Sequence, residues 1–211
     1  MGERLRILVT GFGPFPGAPF NPTGPLVTRL ARLRRPGLAK VEIVPHVFPT
    51  SYAAVDHDLP KLIAKYRPDA LLMFGLAMRA RMLRIETRAR NALALIPDAG
   101  GKSPRRGTIA RGQIVALAMP SPTLRLLAAV RAANVPVMLS RDAGRYLCNY
   151  LCWRAAEVTS KAGGPSLAVF VHVPKIARSA LRPGKRRRLT PDDLVRAGAN
   201  LLAVIATACH V

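Results

Sequence analysis

Cys148, His172 and Glu86 are the residues of this chain whose types could perform covalent chemistry together. Cys148 follows the apolar run Val135 to Leu139 and the turn Ser140 to Gly144, and the pattern places it about four residues into a helix. A thiol at the opening of a helix lies against the positive end of the peptide dipoles, which favours a nucleophilic thiolate. His172 stands near the far end of the apolar run Leu167 to Val173, and Glu86 closes the segment Leu83-Arg84-Ile85-Glu86. A thiol to attack, an imidazole to carry the proton and an acid to orient the imidazole form the set that a cysteine hydrolase needs. Taken alone, the same three residues also describe a packed cysteine and two polar side chains with ordinary partners, which is the more common arrangement.

The elements that would have to position these residues alternate along the chain. Apolar runs predict strands at Leu5 to Thr10, Val41 to Val47, Ala70 to Phe74, Ala92 to Ile96, Ile114 to Leu117, Val135 to Leu139 and Leu167 to Val173. Between them, Leu26, Val27, Leu30 and Leu33 share a helical face, and Tyr52, Val55, Leu59, Leu62 and Ile63 share another, in which Pro60 predicts a kink or break. Ser121-Pro122 opens a third helix. Thr190-Pro191-Asp192-Asp193 starts the last one, with a hydroxyl cap, proline at the first position and acids in the first turn. Strands alternating with helices predict one three-layer α/β domain over residues 1–211, a twisted and mostly parallel sheet with helices on both faces. Ligands of such folds bind beyond the C-terminal ends of the strands, where Gly11, Gly75, the Ser140 to Gly144 turn and His172 would gather. Asp98 to Gly112, rich in glycine and charge, reads as a mobile surface loop.

Composition narrows the function. The chain has 211 residues, half of them hydrophobic, enough for a substantial core. No apolar run reaches the ~18 residues that cross a bilayer, and Leu5 to Thr10 is too short for a secretory core, so no membrane partner is expected. Three cysteines without framework spacing predict reduced thiols and a cytoplasmic protein. The net charge of +22 raises polyanion binding as a rival. That charge is concentrated at Arg32 to Arg35, Lys102 to Arg106 and Lys185 to Arg188, all in or beside connections rich in proline and glycine. No basic patch interleaves with aromatics, and no zinc-finger, ribonucleoprotein or helix-turn-helix signature appears, so no specific nucleic acid is expected.

Two glycine motifs suggest phosphate binding and fail. In Gly11-Phe12-Gly13-Pro14-Phe15-Pro16-Gly17 the third glycine comes one position late and two prolines intrude. Gly101-Lys102-Ser103 lacks the earlier glycine of a phosphate loop, since Ile96 stands there. No metal is expected either: Cys148 and Cys152 share a helix face, but His46, His57 and the Cys209-His210 pair offer no ligand spacing. The first loop instead offers Phe12 and Phe15. They would either form an apolar slot for a flat small ring or plug the core beneath the loop, and the segment alone does not choose.

These pieces in combination resemble the pyroglutamyl peptidase I (pyrrolidone carboxyl peptidase) family. Thr10-Gly11-Phe12-x-Pro14-Phe15-x-Gly17 with Asn21-Pro22 is similar to its opening, and Ala143-Gly144-x-Tyr146-Leu147-Cys148-Asn149 to its nucleophile segment. Val171-His172-Val173-Pro174 resembles its histidine segment, and Arg84-Ile85-Glu86 through Asn91 and Ile96-Pro97-Asp98 the stretch with its glutamate. The resemblance implies a single α/β domain and cofactor-free removal of an N-terminal pyroglutamyl residue from peptides, usually by a cytoplasmic homo-oligomer. It makes Cys148 the nucleophile, His172 the general base and then acid, and Glu86 the group that orients the imidazole. Phe12, Phe15, Asn21 and Leu76 would line the substrate site. The chain departs from the family at Leu76, usually glutamine, at Leu95, usually arginine, at Thr87, usually arginine, and at Lys175, usually aromatic. Leu76 and Leu95 motivate one alternative, a divergent or inactive member acting on another N-acyl or lactam amide, and the net charge motivates the other, a basic polyanion-binding protein on the same fold.

Overall fold

The structure is a computed structural model, and it describes residues 4–112, 114–176 and 188–209. Its centre is a six-stranded sheet. In chain order the strands are β1 (Leu5–Phe12), β2 (Val41–Phe48), β3 (Ala70–Leu76), β4 (Leu83–Glu86), β7 (Val137–Ser140) and β8 (Leu167–Val173), while β5 (Arg88–Arg90) and β6 (Ala116–Ala118) form a separate small antiparallel ribbon. The order across the large sheet is β2-β1-β3-β8-β4-β7. The first four in that order are mutually parallel. β4 runs antiparallel to β8, and β7 parallel to β4.

β3 is apolar throughout and β1 and β8 nearly so, as befits strands covered by helices on both faces. On one face, α1 (Thr23–Ala31), α3 (Thr123–Ala132) and α5 (Pro191–Cys209) pack Leu26, Leu30, Leu126, Val130, Leu201 and Ile205 against Ile7, Val9, Leu72 and Val171. On the other, α2 (Tyr52–Tyr66) and α4 (Leu147–Thr159) pack Val55, Leu59, Leu151 and Trp153 against Leu8, Leu71, Met73 and Phe170. The expected three-layer α/β domain is therefore what the chain forms.

The helix starts are chemically legible. Thr190 Oγ1 accepts from Asp193 N at 3.2 Å while Asp193 Oδ2 accepts from Thr190 N at 2.8 Å, a reciprocal cap on α5. Ser51 Oγ accepts from Ala54 N at 3.1 Å and caps α2.

Two expectations are corrected, a strand forms where none was expected, and one surface loop is anchored at its start. Pro60 does not break its helix: α2 continues from Tyr52 to Tyr66, with Leu59 buried just before the missing N–H donor and Leu62 and Ile63 packed against the core just after it. Ala92 to Ile96 is not a strand; the extended segment lies earlier, at Arg88–Arg90, and pairs with Ala116–Ala118. β4 carries only four residues, two of them charged, and extends because β8 and β7 flank it. Asp98 to Gly112 is irregular, but Asp98 is buried and accepts from Tyr52 N, Gly100 N and Lys102 N, which ties the loop to α2. The first three residues of the Lys185 to Arg188 run, and His210, lie outside the described residues.

Candidate active site

Cys148 is the second residue of α4, closer to the helix start than the pattern suggested. The first hydrogen bond of that turn runs from Tyr150 N to Tyr146 O at 3.0 Å, so the amides just before it have no carbonyl within the helix. Upstream, Gly144 takes a positive φ of 86° that few side chains tolerate, and Asp142 Oδ1 accepts from Gly144 N at 3.0 Å to hold the turn.

His172 is the sixth residue of β8 and is only 6% exposed. Its Nδ1 lies 2.8 Å from Glu86 Oε1, and Glu86 is fully buried. Burial opposes a charged imidazole. The neighbouring Cys148 sulfur, through charge and a hydrogen bond, and then the Glu86 carboxylate outweigh that cost and push His172 up to about 9. The carboxylate and imidazole, far apart in sequence, are thus in contact, with the Cys148 thiol beside them over Gly75.

The sulfur fits against Gly75. A Cβ on that glycine would stand 2.7 Å from Cys148 Sγ and 2.7 Å from Phe170 Cζ, so only glycine leaves room for the thiol at the end of β3. Gly75 pairs directly with His172 in the β3–β8 register. A glycine at the end of an apolar strand is the signal in the sequence that could have located this fit.

Asn149, next to the thiol, does work that the sequence did not reveal. Its Oδ1 accepts from Arg90 N at 2.8 Å, and its Nδ2 donates to Arg90 O at 2.8 Å and Ala92 O at 3.0 Å. This clamp fastens the segment after Glu86 to the helix that carries Cys148. Cys152, one turn further along α4, is fully buried, and desolvation first of all raises its thiol well above the ordinary value. It is a core residue.

The expected substrate residues separate. Phe12 is 3% exposed and packs its ring on Phe48 with centroids 5.9 Å apart, so it plugs the core beneath the loop. Phe15 is half-buried and pairs with Ala18 across a tight turn in which Gly17 takes a φ of 86°. Asn21 is buried; its Nδ2 donates to Gly13 O at 3.0 Å and its Oδ1 accepts from Thr23 N at 3.1 Å, which makes it a brace of the loop. Leu76 ends β3 and is half-buried, while Leu95 is 61% exposed in the coil whose Ala94 N donates to Arg145 O at 2.6 Å.

An imidazole held between a buried carboxylate and a helix-borne thiol, at the C-terminal rim of an α/β sheet, defines a cysteine hydrolase. Comparison with known proteins gives the family. The pyroglutamyl peptidase family model matches residues 5–199, and the chain belongs to that family. Among similar proteins, the pyrrolidone-carboxylate peptidase of Thermococcus onnurineus is 31% identical over 178 residues, covering 84% of this chain and 87% of that protein. The one from Gloeobacter violaceus is 33% identical over 184 residues, covering 86% and 87%. The crystal structure of a variant pyrrolidone carboxyl peptidase from Pyrococcus furiosus superposes with a TM-score of 0.85 at 25% identity, covering 97% of this chain and all of that one, 100%.

Proposed function

We propose that this protein removes an N-terminal pyroglutamyl residue from peptides by acyl transfer to Cys148. The observation that carries the reading is the 2.8 Å contact between His172 and Glu86, with Cys148 on the other side of the imidazole. In the first half-reaction His172 takes the thiol proton and the sulfur attacks the scissile carbonyl carbon. Amides of the first turn of α4 and the loop before it stabilise the oxyanion. The C–N bond breaks as His172 protonates the departing amine, which leaves a thioester. Water then attacks the thioester, gives its proton to His172, and releases pyroglutamate with the thiol restored. Glu86 keeps the imidazole oriented and steadies its charge through both halves.

A pyroglutamyl group has no free α-amine, so a neutral apolar rim suits it. The half-buried Phe15 and Leu76 are the apolar side chains assigned to that rim in this reading. Leu76 and Leu95 in place of usual polar residues favour one narrower variant of the reading, in which the preferred amide is a different lactam or N-acyl group. Peptides with a blocked N-terminus are the proposed substrates. The exposed apolar side chains Ile114 and Val115 suit burial in a homo-oligomer, and the free state of all three cysteines suits a cytoplasmic enzyme.

The test is release of fluorophore from a pyroglutamyl conjugate, beside a panel of other aminoacyl and N-acyl conjugates. Release should be lost in Cys148→Ser and after iodoacetamide treatment, with Cys148 labelled and Cys152 untouched by mass spectrometry. Full release from Cys148→Ser would end the assignment, and release from another acyl conjugate alone would select the narrower variant.

A further inference from the structure

Three neighbouring strands place Gly75, His172 and Arg84 in one row. Gly75 pairs with His172 across β3 and β8, and His172 with Arg84 across β8 and β4. Directly opposed residues of an antiparallel pair project to the same face, about 5 Å apart at Cα. Glu86, two positions along β4, is on that face because it contacts His172, so Arg84 is on it too. Cys148 Sγ lies over Gly75, on the other side of the imidazole. The order across the sheet on this face is therefore the sulfur over Gly75, then His172, then Arg84.

Arg84 is half-buried, and its Nε is shut off from water with no hydrogen-bond partner among the described residues. Glu86 does not satisfy it, since Glu86 Oε1 is on His172 and Oε2 is itself buried without a partner. A partly desolvated guanidinium without an acceptor is an unfavourable arrangement, and a carboxylate is the group whose shape and charge fit its donors.

We propose that Arg84 selects for a carboxylate on the residue that follows the scissile bond. The inference rests on the acyl-transfer reading above. In that reading the acyl group is held on the sulfur and the departing amine takes its proton from His172, so whatever follows the amine falls at Arg84. The favoured substrates are pyroglutamyl peptides whose second residue is acidic, or pyroglutamyl dipeptides whose free C-terminal carboxylate reaches the same place.

The test compares kcat/KM for pyroglutamyl-Glu-amide, pyroglutamyl-Ala-amide, pyroglutamyl-Lys-amide and pyroglutamyl-alanine with a free carboxylate. At least one carboxylate-bearing substrate should exceed the alanine amide by about tenfold, and which one does so identifies the side-chain or main-chain source. That ratio should shrink when salt is raised from about 0.05 to about 0.5 M, fall towards unity in Arg84→Gln, and recover in part in Arg84→Lys. A wild-type ratio at or below one overturns the proposal. Equal losses on every substrate in Arg84→Gln also overturn it, because they would make the residue a support for Glu86. A second readout needs no peptide hydrolysis: the rate of Cys148 alkylation by anionic iodoacetate relative to neutral iodoacetamide should drop severalfold in Arg84→Gln, and an unchanged ratio counts against the role. If wild-type protein leaves every pyroglutamyl substrate intact while that alkylation ratio still depends on Arg84, the peptidase reading fails and the anion preference stands.

Discussion

A Cβ placed on Gly75 would stand 2.7 Å from the sulfur of Cys148. Strand β3 and helix α4 therefore meet at a point where a single methyl group decides the position of the Cys148 thiol. Gly75→Ala should lower kcat/KM on a pyroglutamyl conjugate by roughly 10²-fold, because small displacements of a reacting atom are that costly. The clash with Phe170 at the same site should cost about 1–3 kcal/mol of stability. Steady-state kinetics and urea unfolding check the two effects, and wild-type kinetics in the variant would show that the thiol position is not critical.

Glu86 touches His172 and is fully buried, so under the proposed mechanism its removal should be felt in the rate and little in binding. Glu86→Gln offers an amide where the ring nitrogen needs an anion, and kcat should fall by roughly 10²–10⁴-fold with KM changed by less than about threefold. A large rise in KM with kcat preserved would move Glu86 from the reaction to the substrate pocket.

His172 is pushed up to about 9 from an ordinary 6.5, which fixes the sign of two pH effects. A raised folded-state value means that the stabilisation is complete below 6.5 and is lost as pH climbs through about 9. The thermal midpoint of the wild type should therefore fall more steeply between neutral and strongly alkaline pH than that of His172→Gln. In the proposed mechanism a protonated imidazole gives the leaving amine its proton, so kcat/KM should decline above about 9 while iodoacetamide labelling of Cys148 does not decline. Parallel declines would place the loss on the thiol instead.

Asn149 satisfies three backbone groups of the segment that follows Glu86. Asn149→Ala leaves them without their partner inside the protein and should cost about 2–4 kcal/mol, read as a shift of the denaturation midpoint. Activity should fall with it, since the clamp joins the helix that carries Cys148 to the segment that follows Glu86. A loss of less than about 0.5 kcal/mol would mean that water replaces the clamp.

Much of this arrangement is legible in the sequence where a local rule governs it. The Thr190-Pro191-Asp192-Asp193 start of α5 and the apolar runs of β1, β2, β3 and β8 fold where their patterns place them. The segment from Ala92 to Ile96 reads as a strand by the same rules and is coil, because its backbone is taken by other partners. Ala92 O accepts from Asn149 Nδ2, Leu93 N donates to Gly107 O, and Ala94 N donates to Arg145 O. Pro60 stays within α2 because core contacts on both sides outweigh one missing donor. Phe12 and Phe15 look alike in the sequence, and packing buries one beneath the loop and leaves the other half-buried.

The sequence by itself determined the chemistry that is available: a thiol near a helix start, an imidazole at a strand end, and an acid closing a short segment upstream. Tertiary structure alone decided that these meet. Glu86 and His172 are 86 residues apart, and they touch because β4 inserts antiparallel beside β8. Strand partners and their direction are set by the burial of whole faces and not by any local propensity, so no window of sequence could have fixed that contact or placed Arg84 beside it.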